Sequence, residues 1–219
     1  MRTVVLPGVL RPPSDAWMLI DVLCERGLAR DADVLDVFTG SGVLAIAAAL
    51  QGARSVTAVD VARRAALNAR LNARLNRTRV RVLRGDLFAP VVGERFDLIL
   101  ANPPYLPGEA EQLPVGGAER AWEGGADGRV LVDRFCREAP RHLTDNGGVL
   151  IVHSSLTGEQ ATHEALAASG LTAETLSRQT GPLGAVAAAR AELLEQRGVL
   201  AAGQREEEML VIRGTRSGT

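Results

Sequence analysis

The 219-residue sequence has no lysine: its 25 basic residues are all arginine, set against 26 acidic ones. A net charge of −1 excludes a whole-surface nucleic-acid binder and leaves room only for a local basic patch. Cysteine is scarce. Cys24 and Cys136 stand far apart, outside any Cys-x-x-Cys pattern, so there is no disulfide or metal framework, and the usage suits a reducing cytoplasm. His142, His153 and His163 show no ligand spacing; they read as surface or strand-end residues, and no metal is expected. Long apolar runs are missing. None reaches the ~18 residues of a membrane span, and "VVLPGVL" is broken by proline and followed by "RPPSD", unlike a secretory signal. A cytoplasmic protein with no membrane contact is expected. What is present is an ordinary globular composition, 46% hydrophobic, enough for one core in a chain of this length.

The apolar residues alternate between short strand-like runs and helical stretches. "VLDVF" at 34–38 ends in "TGSG" and passes into "VLAIAAALQG". "SVTAVD" ends at Asp60 and passes into "VARRAALNARLNARLNRTR"; "VRVLRGD" ends at Asp86, and "FDLILANPP" follows. Leu67, Leu71 and Leu75 recur at every fourth position and predict the buried face of the second helix; its asparagines are assigned no role. After a loop rich in Gly, Pro and Glu, from Leu106 to Gly128, come a helix in "VLVDRFCREAPRHL", a strand in "GGVLIVHSS" and a helix in "GEQATHEALAAS". A strand in "LTAETLS", one helix in "LGAVAAARAELLEQRG" and a strand in "EEMLVIRG" complete the chain. "REEE" at 205–208 reads as a charged loop.

This alternation predicts an α/β fold: a doubly wound, mostly parallel, Rossmann-like sheet with an antiparallel last strand at its edge. An N-terminal segment (1–30) carries one helix, "SDAWMLIDVLCERG", with Ser14 or Asp15 as its N-cap. It packs on a single domain (31–214), and a polar tail (215–219) is expected to be disordered.

Ligands of open α/β sheets bind beyond the carboxyl ends of the strands. Four chemistry-bearing groups stand at successive strand ends: "DVFTGSG", Asp60, Asp86 and Asn102. Gly40 and Gly42 let backbone approach a ligand, and the helix they open offers free N–H groups to a carboxylate or phosphate; such a turn can also be only a tight turn. Asp60, about 20 residues on, can accept both hydroxyls of a ribose or cap the next helix. Asp86 can accept from an adenine amine or serve as a turn residue. No Gly-Lys-Ser/Thr phosphate loop is present. The set suits a dinucleotide or S-adenosylmethionine, whose charges are a carboxylate, an ammonium and a sulfonium.

In Asn102-Pro103-Pro104-Tyr105 the prolines fix φ and remove donors. The turn's carbonyl oxygens and the Asn102 side-chain carbonyl can then grip the two hydrogens of a planar NH2 group, while Tyr105 stacks on its conjugated plane. Acceptors that favour the nitrogen as it becomes pyramidal and positive stabilise the transition state more than the ground state. No general base or metal is needed at the transfer itself. An isolated Asn-Pro-Pro is often only a turn; after the fourth strand of a nucleoside-binding sheet it predicts methyl transfer to such a nitrogen.

"DVFTGSG", "AVD", "GDLF" and "NPPY", in this order, resemble class I S-adenosylmethionine-dependent methyltransferases of planar amino groups. "ERAWEGGADGRVLVDRF" from Glu119 and the later "TLSRQTG" narrow the resemblance to the HemK-type protein-glutamine methyltransferases. Within these it is nearest the compact eukaryotic and archaeal branch that modifies the Gly-Gly-Gln loop of a translation release factor. The resemblance covers nearly the whole chain. It implies that Asp36 and the Phe38, Thr39, Gly40 and Gly42 backbone contact the methionine end of the cofactor, that Asp60 holds its ribose, and that Asp86 and Leu87 hold its adenine. S-adenosylhomocysteine is then the product. It implies that Asn102, which also touches the cofactor, and the Pro103 carbonyl bind the target amide, with Pro104 and Tyr105 on the substrate side; Trp122 either faces substrate or packs its loop.

The resemblance also implies a protein substrate and a small zinc-binding activator subunit at the sheet edge, where "RVRVLRGD" would stand. Alternating arginines there equally suit an unpaired edge that resists aggregation. The same four-residue turn serves amines of nucleic-acid bases and small molecules, but no base-flipping module or aromatic-interleaved basic stretch is found. Three features depart from the pattern: Phe38 at a usual glycine, Ala16 at a common threonine, and an inserted helix from Leu183 to Arg197. Glu123 and Asp127 read as solvated.

Overall fold

The structure, a computed structural model, describes residues 1–109, 112–114, 116–117 and 119–216. Helix α1 (Ser14–Glu25) leads into β1 (Asp33–Val37), α2 (Val43–Leu50), β2 (Ser55–Asp60), α3 (Arg63–Leu75), β3 (Arg81–Arg84) and β4 (Phe96–Ala101). Then follow α4 (Val130–Glu138), β5 (Leu143–Ser154), α5 (Glu159–Ala168), β6 (Leu171–Pro182), α6 (Ala185–Ala189), α7 (Ala191–Gln196) and β7 (Glu206–Arg216). Seven strands form one sheet in the order β3-β2-β1-β4-β5-β7-β6. The pairs β1–β2, β1–β4, β2–β3 and β4–β5 are parallel, and β7 runs antiparallel to β5 and β6. The chain builds outward from β1 to the β3 edge and returns to place β4 on the other side of β1. That reversal opens a crevice at the carboxyl ends of β1 and β4.

Period-two alternation sorts the strand residues into two cores. Val34, Val56, Ala58, Leu98 and Leu100 face α1, α2 and α3. Leu35, Val37, Val59, Ile99 and Ala101 pack with Val132 and Phe135 of α4 and Leu166 of α5. A strand covered on both faces reads as a near-continuous apolar run, which is why the polar Asp36 stands out within "VLDVF". Carried one residue past β4, the same alternation directs Asn102 to the α1 side.

Helix α3 overturns the reading of its periodicity. Leu67, Leu71 and Leu75 are 55%, 41% and 39% exposed, and the buried residues are Ala65, Ala66, Asn68, Ala69, Asn72 and Ala73. The Ala/Asn face wins because it is thin and because its carboxamides find partners. Asn68, Asn72 and Asn76 accept through Oδ1 from the backbone N–H of Leu6 (2.6 Å), Val4 (2.9 Å) and Arg2 (2.7 Å). Their amides donate back to the carbonyls of Val4 and Arg2. Four helical residues advance about 6 Å and two extended residues about 6.6 Å. Asparagines at i, i+4 and i+8 therefore match alternate residues of an extended N-terminal segment, as a neighbouring strand would. Asn72 also donates to the Ser41 carbonyl at 2.9 Å, tying this segment to the glycine turn. Asn72→Ala is expected to cost about 2–4 kcal/mol, read by chemical denaturation, and to speed amide exchange at residues 2–6.

Further expectations are corrected. β7 is antiparallel but interior, and β6 is the edge: Leu210, Val211 and Ile212 are fully buried, which an edge would not allow on both faces. The N-cap of α1 is Pro13, with no side-chain cap; Ser14 and Asp15 lie inside the helix. The single helix expected over 183–197 is two short ones, broken at Arg190 (φ −105°, ψ 10°). β7 runs through Arg216, into the expected tail, and residues 217–219 lie outside the described residues. Glu206–Glu208 open β7, with Glu207 buried, and His153 is wholly buried in β5. Among the described residues no helix is long and apolar enough to cross a membrane.

Candidate active site

The chain leaves β1 through Phe38-Thr39-Gly40-Ser41-Gly42, with positive φ at Phe38 (60°), Gly40 (54°) and Gly42 (86°). Gly42 is obligatory, since a Cβ there would stand 3.0 Å from the Cα and Cβ of Ala69. Phe38 adopts a conformation that glycine takes without strain; its ring packs on the α4-side core. Asp36 is completely buried. Its Oδ2 accepts from Thr39 Oγ1 (2.5 Å) and the Ala45 N–H (3.1 Å), and its Oδ1 has no partner among the described residues. Burial pushes this carboxyl up to about 7 against the pull of those two bonds, and Asp60 adds repulsion. A buried, orphaned carboxylate oxygen is a site for a cationic group.

Asp60 makes two backbone contacts that the sequence did not announce, and α3 itself carries no side-chain cap. Its Oδ2 accepts from the Gly40 N–H (2.9 Å) and its Oδ1 from the Ala62 N–H (2.8 Å), so it braces the glycine turn and the start of α3 together. Its carboxyl is raised, chiefly by burial. Asp86 stands at the margin, half exposed and paired with Arg134 at 2.9 Å, so an amine reaching it would share it with that guanidinium. Leu87 is buried at φ 46°.

At the end of β4, Asn102 meets a residue that sequence reasoning missed. Its Nδ2 donates to Asp15 Oδ1 at 3.0 Å, and Tyr105 Oη donates to Asp15 Oδ2 at 2.6 Å. The Ala16 N–H also donates to Asp15 at 2.5 Å. Asp15 is 3% exposed. Burial raises its pKa, the bonds from Tyr105, Asn102 and Ala16 oppose that shift, and the charge of Glu207 reinforces it. Burial and Asp15 together hold the Tyr105 hydroxyl well above its usual range, so it remains a donor. An asparagine side chain has one donor end and one acceptor end. Asp15 takes the donor end, which decides the orientation of the amide and leaves Oδ1 for something else. Among the described residues no hydrogen bond goes to Asn102 Oδ1 or to the Pro103 carbonyl. Glu207, also missed, is fixed by the Ser154 hydroxyl and by the Gly184 N–H at 2.7 Å. A first-turn acid reads locally as a cap, and no local signal announces a contact 87 residues away.

Beyond Tyr105 the chain doubles back, so that Leu106 and Gly108 pair with Trp122, Gly124 and Gly125. Two glycines of "EGGADG" are a steric requirement: a Cβ on Gly128 would lie 2.2 Å from the Tyr105 carbonyl oxygen, and one on Gly124 2.5 Å from that of Gly128. Trp122 sits in this second segment, bridged in parallel to Leu106 through Glu123, with Nε1 buried and unpartnered among the described residues. Glu123 is not solvated: it is 13% exposed and paired with Arg190. The crevice thus gathers the glycine turn, Asp36 and Asp60 beside Asn102-Pro103-Pro104-Tyr105, with Asp86 at its margin.

The methyltransferase small domain family matches residues 15–118. A protein of Methanocaldococcus jannaschii, provisionally named a protein N5-glutamine methyltransferase, is 38% identical over 176 residues, or 80% of this chain and 87% of that protein. Methyltransferase HEMK2 of Mus musculus is 34% identical over 182 residues, 79% and 85% of the two chains. The chain belongs to the HemK-type protein-glutamine methyltransferases. Longer relatives of this HemK type, named for glutamine methylation of ribosomal protein uL3 or of release factors, are matched over 39% and 54% of their length. The fold is shared with a solved complex from E. cuniculi, Mtq2-Trm112, described as responsible for methylation of the eRF1 termination factor. The two agree with a TM-score of 0.66 at 22% identity, over 96% of this chain and 99% of that one.

Proposed function

We propose that this chain transfers a methyl group from S-adenosylmethionine to the side-chain amide nitrogen of a protein glutamine, the Gly-Gly-Gln loop of a translation release factor being the acceptor. The observation that carries the reading is the Asn102 carboxamide, locked by Asp15 so that Oδ1 and the Pro103 carbonyl remain as two acceptors on a rigid turn. The cofactor fits the residues present. The unpartnered Asp36 oxygen suits its ammonium, the Gly40–Gly42 turn its carboxylate, Asp60 its ribose, and Leu87 with Asp86 its adenine. When bound, it supplies a methyl group on a positively charged sulfur.

The chain's own part is to hold the amide nitrogen. Asn102 Oδ1 and the Pro103 carbonyl take its two hydrogens, which favours the nitrogen as conjugation is lost and positive charge builds. Pro104 and Tyr105 give the turn its stiffness and an aromatic wall, and Trp122, with Nε1 buried, packs the loop beside them. Asp15 already accepts from three donors, so the surplus proton leaves to water.

The names of the relatives support a protein acceptor in translation, and hence a cytoplasmic enzyme. The E. cuniculi complex supports a small partner subunit, which the family resemblance makes a zinc-binding one at the β3 edge. So does α3, which packs on β3 and leaves its three leucines exposed. The test offers tritiated cofactor to the enzyme, with and without such a partner, alongside release factor, its Gly-Gly-Ala variant, total RNA and DNA. Label on the glutamine of the first alone is expected; label on nucleic acid, or equal label on the alanine variant, overturns the reading.

A further inference from the structure

The β6–β7 hairpin carries an insert that the transfer chemistry does not use. Its neck is closed: Pro182 and Glu206 are register partners, and the Leu183 N–H donates to the Arg205 carbonyl at 3.0 Å. Its helices α6 and α7 have a small core of their own, formed by Leu183, Ala187, Ala191, Leu194 and Leu200 with Leu156. The insert does not project into solvent. It folds back over the loop that follows the Asn-Pro-Pro-Tyr turn and holds four consecutive residues of it. Leu106 packs against the insert's core. Arg190, at the break between the helices, donates to the Pro107 carbonyl at 3.1 Å and pairs with Glu123. Arg197 donates to the carbonyls of Gly108 (2.6 Å), Glu109 (3.2 Å) and Ala126 (3.2 Å). Both strands of the return loop are thereby gripped from one side. The Arg190–Glu123 pair is well shielded, at 19% and 13% exposure.

The loop needs such support. Gly108, Gly124, Gly125 and Gly128 lie in it, and glycine loses more backbone freedom on ordering than any other residue. A loop that ordered only when an acceptor arrived would weaken acceptor binding by that loss. Guanidinium groups suit the task because a planar fork reaches two acceptors at once. Backbone carbonyls supply those acceptors whatever the loop's side chains are.

We propose that the α6–α7 insert is a built-in clamp on the acceptor side of the site. Arg190 and Arg197 are positioning residues that hold 106–109 and 122–126 in the acceptor-binding shape before an acceptor arrives. The assignment rests on the reading that the acceptor docks beside the Asn-Pro-Pro-Tyr turn. It places the insert's effect on acceptor affinity, apart from cofactor binding and from the transfer step.

The experiment compares the full chain with its Arg190→Ala and Arg197→Ala variants. Hydrogen exchange without acceptor is expected to rise about tenfold or more at 106–109 and 122–126, with β1 and β4 unchanged. Cofactor Kd is expected to stay within about twofold, the KM for a Gly-Gly-Gln release factor to rise about tenfold for each arginine, and kcat to stay within about threefold. Arg190→Lys, which keeps the charge but loses the fork, is expected to fall between the native enzyme and Arg190→Ala. Should Arg190→Ala fail to fold, Arg197→Ala, which removes no ion pair among the described residues, carries the test. Unchanged exchange, or a loss shared equally by KM, kcat and cofactor Kd, overturns the clamp. A native enzyme that ignores the release factor overturns the acceptor reading and leaves the exchange result standing.

Discussion

Asn102→Ala is expected to lower the single-turnover rate of methyl transfer by roughly 10²–10³-fold or more, while cofactor affinity by calorimetry stays within a few-fold. The separation follows from the geometry. The methionine-end and ribose contacts assigned to the cofactor come from β1, the glycine turn and β2, whereas Asn102 follows β4 and faces α1. Its removal deletes one of two acceptors whose value grows as the amide nitrogen turns positive, so the loss falls on the rate. It also leaves Asp15 with one donor fewer in a buried place, which raises that carboxyl further. Asn102→Asp is the instructive contrast: it keeps an acceptor but sets a second carboxylate against Asp15, and is expected to be no more active. An alanine variant that turns over within tenfold of the native enzyme removes Asn102 from the chemistry.

The second large effect is expected at Asp15. Asp15→Asn is nearly the same shape, yet it brings an NH2 group to where Asn102 and Tyr105 both donate. One of those donors then faces another donor, and Asn102 is free to flip and present its NH2 to the acceptor amide. A loss of roughly 10–100-fold in kcat is expected. Asp15→Ala is expected to lose more, because two buried donors then lack any acceptor. Protonation of Asp15 acts in the same direction. Its pKa is raised by burial, so the ionised, accepting form is lost as pH falls through a value above the ordinary ~3.9 of an aspartate. The kcat profile should therefore show an acid limb that is missing in Asp15→Asn. Asp36, at about 7, titrates nearer neutrality, but its charge acts on cofactor binding, so measurement at saturating cofactor separates the two. An acid limb that persists unchanged in Asp15→Asn rules Asp15 out as its source.

Much of this site was legible in the sequence because the fold delivers strand ends to one crevice. Once β1 to β4 are recognised, the glycine turn, Asp60 and Asn102 need no long-range information to be placed near one another. The failures share one cause. Periodicity reports which residues share a helix face, and it is silent on what that face meets. In α3 two faces alternate, one of leucine and one of alanine and asparagine, and hydrophobicity favours the leucines. The sheet and the N-terminal segment accept the thinner face because its carboxamides pair with an extended backbone. Asp15, Glu123 and Glu207 looked like ordinary capping or solvated acids for the same reason, since each finds its partner far along the chain.

Taken by itself, the sequence determined the alternating architecture, the stiff Asn-Pro-Pro-Tyr corner after β4 and the glycine turn after β1. These follow from local stereochemistry: two prolines cannot donate, and glycine takes the positive φ of the turn at 40 and 42 without strain. Tertiary structure alone decided which end of the Asn102 amide Asp15 takes, which face of α3 is buried, where β7 inserts, and that two arginines of a late insert grip the loop after Tyr105. Each of these depends on pairing polar groups, distant in sequence, in a place with little water. The chain can satisfy such groups only once the sheet has brought them together.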